Sequence, residues 1–229
     1  MPYHLVHVGK CAGESVIRTL QPQVAGLEIY HVHDANLRLA DAVLRRDPSD
    51  IFIVLTRDPI DRFVSAFEWD LHSKSLEGDG RRLKNETWGR IFGAFLTAND
   101  LAEALTDPQR GRRQAAVAAL RTSKLHMQFD LGWYLPPQIA SELPSGRTHL
   151  IRTERIGADL PRFLTSQGLR AAEAPVTKNS YKHRLPPERV TKTMSELARR
   201  NIRLASHATY ATLAILESRL AEPEATVLI

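Results

Sequence analysis

The sequence predicts an α/β protein with a parallel central sheet, and two features carry this prediction. Residues 3–8 form an apolar-alternating run that leads through a short loop into an apolar-periodic segment at residues 16–20, which predicts a strand, a loop and a helix in succession. A second strand-like run, Ile51-Phe52-Ile53-Val54-Leu55, follows another predicted helix. Strands that alternate with helices in this way form parallel sheets with right-handed crossovers.

The first part of the chain supplies three strands. Residues 26–33 predict a short second strand, and residues 35–46 predict an amphipathic helix with Asp34 as a candidate N-cap. The third strand at 51–55 ends in Thr56-Arg57-Asp58-Pro59 and enters another helix. Because ligands gather at the carboxyl ends of parallel strands, the loops after the first and third strands are the candidate binding loops.

Helices predominate in the remainder of the chain. Polar residues and glycines at 73–85 predict a mobile loop. A fourth strand is expected at 148–152, and the periodic segments predict helices at 88–105, 110–120, 156–166 and about 188–220. Neither an internal repeat nor a linker is visible, so the length of 229 residues predicts a single domain over 1–229.

The bulk composition fits one globular enzyme. Hydrophobic residues make up 43% and charged residues 25% of the chain, which excludes disorder and a coiled coil. The net charge of +5 favours an anionic ligand, although nucleic acid would suit the same charge. One cysteine excludes an intrachain disulfide. Since neither a secretion signal nor an apolar run of about 18 residues is visible, we expect a cytoplasmic enzyme without a membrane span.

The first loop has the composition of an anion site. Lys10 supplies a positive charge, and the small residues Ala12 and Gly13 precede a helix whose first N–H groups carry the positive end of the helix dipole. After the third strand, Arg57 and Ser65 offer a guanidinium and a hydroxyl beside this loop. Two anion sites on one sheet suggest a ligand with two phosphate groups.

At these residues the chain resembles the sulfotransferases that use 3′-phosphoadenosine 5′-phosphosulfate, particularly the carbohydrate branch. The resemblance implies a P-loop-like three-layer sandwich with a central parallel sheet and extra helices. It further implies transfer of a sulfuryl group to a hydroxyl, or less commonly an amine, of a carbohydrate or glycoconjugate, with neither metal nor nucleic acid involved. The segments that carry it are residues 7–15 and 57–67 and, more weakly, 150–156 and 178–180.

The resemblance also implies a role for each matching residue. The first loop would bind the 5′-phosphosulfate, Lys10 would stabilise the leaving phosphate, and Arg57 with Ser65 would bind the 3′-phosphate. Glu14 departs from the family pattern and would repel the phosphosulfate unless it points outward or pairs with Arg18. The full nucleotide-binding set predicted in this way is Lys10, Cys11, Ala12, Gly13, Glu14, Ser15, Arg57, Ser65, Arg152 and Lys182.

A histidine at the end of the second strand is the candidate base. His31 and His33 alternate there, so only one of them can face the site. A histidine suits the removal of a proton from a hydroxyl, and His33 is preferred over His31 because it lies nearer to the loop. The same alternation occurs in metal sites, but no third ligand stands at a convincing spacing, so no metal is predicted.

Two other classes of function remain open. A P-loop nucleotide kinase also begins with a strand, a loop and a helix, but its lysine ends the loop and a hydroxyl for Mg²⁺ follows it, whereas Lys10 comes first. Cys11 and Glu14 stand where the family has hydroxyl residues. They leave open a non-catalytic relic that only binds a nucleotide.

Overall fold

The computed structural model describes residues 2–31, 34–76, 86–122, 125–172 and 185–221. The chain divides into two compact units. The first unit comprises Met1–Arg57, Phe129–Thr177 and His207–Ile229, and the second comprises Asp58–Gln128 and Lys178–Ser206.

The first unit is built on a four-stranded parallel sheet with the strand order β2-β1-β3-β4. The predicted α/β class with a parallel central sheet flanked by helices is therefore confirmed, and the fourth strand has the predicted bounds. The strands are β1 (Tyr3–Val6), β2 (Leu27–Tyr30), β3 (Ile51–Thr56) and β4 (Thr148–Arg152).

The α-helices of the described residues are distributed over both units. In the first unit α1 and α2 cover opposite faces of the sheet: the His7 ring lies against the start of α1, whereas His4, of opposite parity, lines a cavity with α2. In chain order the helices are α1 (Gly13–Leu20), α2 (Ala35–Leu44), α3 (Pro59–Leu71), α4 (Glu86–Ala94), α5 (Ala98–Ala104), α6 (Arg110–Leu120), α7 (Leu131–Tyr134), α8 (Pro137–Ala140), α9 (Ile156–Ser166), α10 (Glu196–Ala205) and α11 (His207–Ala221).

The core of the first unit centres on β3. All six residues of this strand are buried, as expected for a strand with a neighbour on each side and helices over both faces. A fully buried side chain such as Phe52 or Ile53 contributes roughly 1.5–3 kcal/mol through the removal of apolar surface from water. Burial of β1 and β3 therefore fixes the positions at which the two candidate binding loops begin.

Two predicted long helices are each divided into two. Residues 88–105 do not form one helix, because Thr97 adopts an extended backbone and its side chain accepts a hydrogen bond from the Asp100 N–H, which starts α5. The predicted helix at 188–220 is likewise wrong. Ser195 caps the start of α10, which belongs to the second unit, whereas α11 belongs to the first.

Smaller differences concern the ends of elements. Helix α2 ends at Leu44, two residues before the predicted end, and Asp34 occupies the N-cap position without a capping hydrogen bond from its side chain. The segment predicted as a mobile loop begins with a π-helical turn at His72–Leu76, and its residues 77–85 lie outside the described part. Within the described ranges, no helix combines the length and apolar character that crossing a membrane requires.

In the second unit, α3 carries a buried carboxylate that ties down a distant segment. Asp70 is fully buried, and its carboxylate accepts hydrogen bonds from the His126 backbone N–H at 2.6 Å, the His126 Nδ1 at 2.6 Å and the Met127 N–H at 3.4 Å. A buried carboxylate needs such donors to offset the loss of hydration. The Asp70 contacts therefore hold the chain after α6 against α3.

Replacing Asp70 tests this role. Asp70→Ala leaves the donors of His126 and Met127 without their acceptor, and we expect a loss of about 1.5–3 kcal/mol in the free energy of unfolding. Asp61→Ala on the exposed side of the same helix is the control, with an expected loss below about 1 kcal/mol. Urea denaturation measures both, and equal losses would show that the Asp70 contacts do not stabilise the unit.

Candidate functional site

The sheet order places the candidate site at the carboxyl ends of β1 and β3. The chain leaves β1 for β2 on one side, then returns past β1 to form β3 on the other side. The connections that follow β1 and β3 therefore diverge from adjacent strands, which opens a crevice where ligands of parallel sheets bind. The first connection carries Lys10 and the second begins with Arg57.

The loop after β1 has an unusual backbone. Lys10 and Ala12 both adopt left-handed conformations, with φ of 71° and 57°. Residues with a Cβ rarely adopt this conformation, which costs of the order of 1–3 kcal/mol each and occurs preferentially at functional sites. The Cys11 N–H donates to the Val8 carbonyl at 3.2 Å, and the Ser15 N–H donates to the Ala12 carbonyl at 3.1 Å. The chain thus turns sharply into the N-terminus of α1.

Gly13 allows this turn because it has no side chain. A Cβ at Gly13 would lie 1.8 Å from Cδ2 of the His7 ring, which is far inside van der Waals contact. His7 itself is buried. The start of α1 therefore rests directly on the His7 ring, and a larger residue at position 13 would displace either the ring or the helix.

Arg57 lies against this loop. Its Nη1 donates a hydrogen bond of 3.4 Å to the Lys10 carbonyl, and the Arg57 side chain is half-buried. The side chains of Lys10 and Arg57 thus bring two positive charges to one end of the sheet. Together with the positive end of the α1 dipole, these groups form an environment suited to anions.

His31 lies beside the same loop. Its ring stacks on the His7 ring, with centroids 4.0 Å apart and an interplanar angle of 15°. His31 Nδ1 is 2.8 Å from the His7 carbonyl oxygen and 3.4 Å from the hydroxyl of Tyr134, a buried residue of α7. His33, the preferred base of the sequence prediction, lies outside the described residues.

The remaining loop residues differ in burial. Cys11 is 2% exposed, with its Sγ 4.0 Å from the Gly9 carbonyl oxygen, and Ser15 is buried as well. Glu14 is half-buried and Arg18 is exposed. The buried thiol serves the packing of the loop.

Two residues predicted to bind the nucleotide, Ser65 and Lys182, lie outside the described part of the first unit. Ser65 is buried on α3 and belongs to the second unit, whereas Lys10 and Arg57 belong to the first. Lys182 lies outside the described residues. The roles of both residues remain predictions.

Arg152 already has carboxylate partners. Its guanidinium lies 3.8 Å from Asp159 and 3.4 Å from Glu217, and its backbone N–H donates to Asp159 at 3.1 Å. A phosphate would have to compete with these two carboxylates. The contacts support a role for Arg152 in holding the end of β4 to α9 and α11.

A second polar cluster lies towards the amino end of the sheet. His4 Nδ1 is 2.9 Å from the Tyr30 hydroxyl, which donates to Glu28, and His4 Nε2 is 3.4 Å from the Asp50 carboxylate. Burial, with the hydrogen bond and charge of Glu28, raises the pKa of the Tyr30 phenol, so the phenol stays protonated. These residues line a cavity of about 330 Å³ beside α2. This cavity lies away from Lys10, at the other end of β1.

Sequence reasoning missed His7 and Tyr134. The predicted strand at residues 3–8 included His7, so the pattern indicated a strand residue and not a site residue. A glycine at the start of a helix was the available signal, since it often marks a close approach by another group. Tyr134 is 103 residues from His31 in sequence, and no local pattern connects the two.

The comparisons with known proteins leave the resemblance as a hypothesis, since the chain matches no family model and no curated protein sequence. Within the part of the chain that the structure describes, no group of three His, Cys, Asp or Glu side chains is arranged to hold a metal ion.

The burial of Cys11 predicts that its thiol reacts slowly in the folded protein. A cysteine at a helix N-terminus is reactive when it is exposed, but the Cys11 sulfur is enclosed by the loop. We expect the folded protein to react with Ellman's reagent at least about tenfold more slowly than the protein unfolded in guanidinium chloride. Rapid labelling of the folded protein would contradict the packing role of Cys11.

Proposed function

We propose that this chain is a P-loop-like sulfotransferase that uses 3′-phosphoadenosine 5′-phosphosulfate and transfers its sulfuryl group to a carbohydrate or glycoconjugate. The acceptor atom is a hydroxyl oxygen or, as the second choice, an amine nitrogen. The observation that carries the proposal is the contact between Arg57 and the Lys10 carbonyl at 3.4 Å. This contact joins the two segments that resemble the signatures of the family.

The loop and Arg57 divide the binding of the donor between them. The start of α1 carries the positive end of the helix dipole, and together with Lys10 it suits the 5′-phosphosulfate. Arg57 suits the 3′-phosphate, because a guanidinium forms paired hydrogen bonds with phosphate oxygens. The role of Ser65 at that phosphate is implied by the resemblance alone.

The transfer step needs one cation and one base. The bond between sulfur and the bridging oxygen breaks, a bond between sulfur and the acceptor oxygen forms, and the electron pair of the broken bond remains on the leaving phosphate. Lys10 stabilises that developing charge. The acceptor hydroxyl gives its proton to a histidine, for which we propose His31 because its ring lies beside the loop.

The residues favour this reaction over that of a P-loop kinase. A kinase needs a hydroxyl directly after its loop lysine to bind Mg²⁺. Here the buried thiol of Cys11 follows Lys10. A non-catalytic relic would bind the same nucleotide, so only turnover of the donor distinguishes it from the proposed enzyme.

Nucleotide binding tests the donor. We expect 3′,5′-ADP at a hundredfold excess over its Kd to stabilise the folded protein by about 2.7 kcal/mol, because it binds the native state alone. ATP with Mg²⁺ should stabilise the protein less. Thermal melting with each ligand measures the difference, and equal stabilisation by both, or by neither, would refute the proposed donor.

Replacement of Arg57 tests the proposed site of the 3′-phosphate. Arg57→Ala removes a charge-assisted contact worth about 1.5–3 kcal/mol. It should therefore weaken the binding of 3′,5′-ADP by about ten- to a few-hundredfold and leave the binding of 5′-AMP nearly unchanged. Arg45→Ala removes an exposed arginine beside the other cavity and should leave both affinities unchanged. Equal weakening of both nucleotides by Arg57→Ala would place Arg57 outside the 3′-phosphate site.

A further inference from the structure

We propose that His7 is a positioning residue, which holds His31 as the tautomer protonated on Nδ1 and so makes Nε2 the atom that accepts the proton. The inference rests on the proposed function for its meaning in catalysis. Its structural content, the tautomer and orientation of the His31 ring, can be measured without any activity. Sequence patterns and the resemblance assign no role to His7.

The tautomer follows from the partner of Nδ1. The His7 carbonyl oxygen, 2.8 Å from His31 Nδ1, can only accept a hydrogen bond. If Nδ1 carried a lone pair, two lone pairs would face each other at this distance. The Tyr134 hydroxyl could donate to such a lone pair, but it lies farther away, at 3.4 Å. The shorter contact therefore decides in favour of a proton on Nδ1.

In a neutral imidazole the nitrogen opposite the N–H group is the acceptor. With Nδ1 protonated, His31 Nε2 holds the lone pair, as a general base requires in its resting state. The His7 carbonyl also stabilises the ring after proton uptake, since Nδ1–H remains a donor in the imidazolium form. The same contact thus serves both states of the base.

The orientation of His31 follows from the stacked rings. The His7 ring lies parallel to the His31 ring within 15°, and its other surroundings include Gly13, where even a Cβ would clash. The His7 ring therefore cannot shift towards the start of α1. Wedged in this way, it gives His31 a rigid platform and connects the base to the phosphate loop.

The direct test is the protonation pattern of the His31 ring in the wild-type protein. Long-range ¹H–¹⁵N NMR spectra distinguish the two tautomers by the ¹⁵N shifts of the ring nitrogens, and the spectrum of His31→Asn identifies the His31 signals by their loss. We expect Nδ1–H in the neutral ring. A ring protonated on Nε2 would overturn the proposal without any variant.

Two variants of β1 and its loop form a matched pair. His7→Ala keeps the backbone carbonyl but removes the stacked ring, so the His31 ring can rotate away from the carbonyl. We therefore expect mixed tautomers at His31 and a fall in kcat of at least about tenfold, because a base contributes roughly a hundredfold or more. His4→Ala removes a buried imidazole on the opposite face of the same segment and should leave the His31 tautomer unchanged. An unchanged tautomer and an unchanged kcat in a folded His7→Ala protein would refute the positioning role of the His7 ring.

His7→Phe separates positioning from general stability. It keeps a flat ring under His31 and should retain the Nδ1–H tautomer and most of the kcat that His7→Ala loses, with the KM for the donor little changed. Failure of this rescue in a folded His7→Phe protein would count against the platform. If 3′,5′-ADP does not bind while the NMR result holds, the proposed function fails and the positioning of His31 by His7 stands.

Discussion

The close packing of the α1 N-terminus on the His7 ring is the constraint on which the candidate site depends. Because Gly13 has no side chain, the helix begins within contact of this ring, and the loop before it turns through the left-handed residues Lys10 and Ala12. The same ring stacks on His31. One imidazole therefore determines where the loop of Lys10 lies and how the neighbouring histidine is oriented.

The sheet supplies the stability that this loop requires. The two left-handed residues each lower the stability of the fold by about 1–3 kcal/mol. Each large side chain buried in β1 and β3 raises the stability by a comparable amount. Several such side chains are present, so the strained turn is held by its flanking elements. The buried strand β3 also fixes the backbone position of Arg57, whose side chain donates a hydrogen bond to the Lys10 carbonyl.

The sequence alone was sufficient for those parts of the fold that local patterns determine. The strand at 148–152 and the helices at 110–120 and 156–166 have the predicted bounds, because their periodicity and end signals agree. The helix breaks at Thr97 and Ser206 were missed, since apolar periodicity continues across them. The predicted alternation of strands and helices placed Lys10 and Arg57 in the loops after the first and third strands. The stacking of His7 on His31 depends on strand pairing that brings residues 24 apart in sequence together.

We propose that Lys10 stabilises a leaving phosphate at the end of β1, and turnover of the donor measures this role. Release of 3′,5′-ADP from 3′-phosphoadenosine 5′-phosphosulfate would be measured with a panel of glycan acceptors for the wild type, Lys10→Ala and the exposed-lysine control Lys192→Ala. If Lys10 has this role, the wild type and the control turn over the donor, and the kcat of Lys10→Ala is lower by roughly a hundred- to a thousandfold. Wild-type protein that binds 3′,5′-ADP but turns over no donor, or Lys10→Ala with an unchanged kcat, would contradict it.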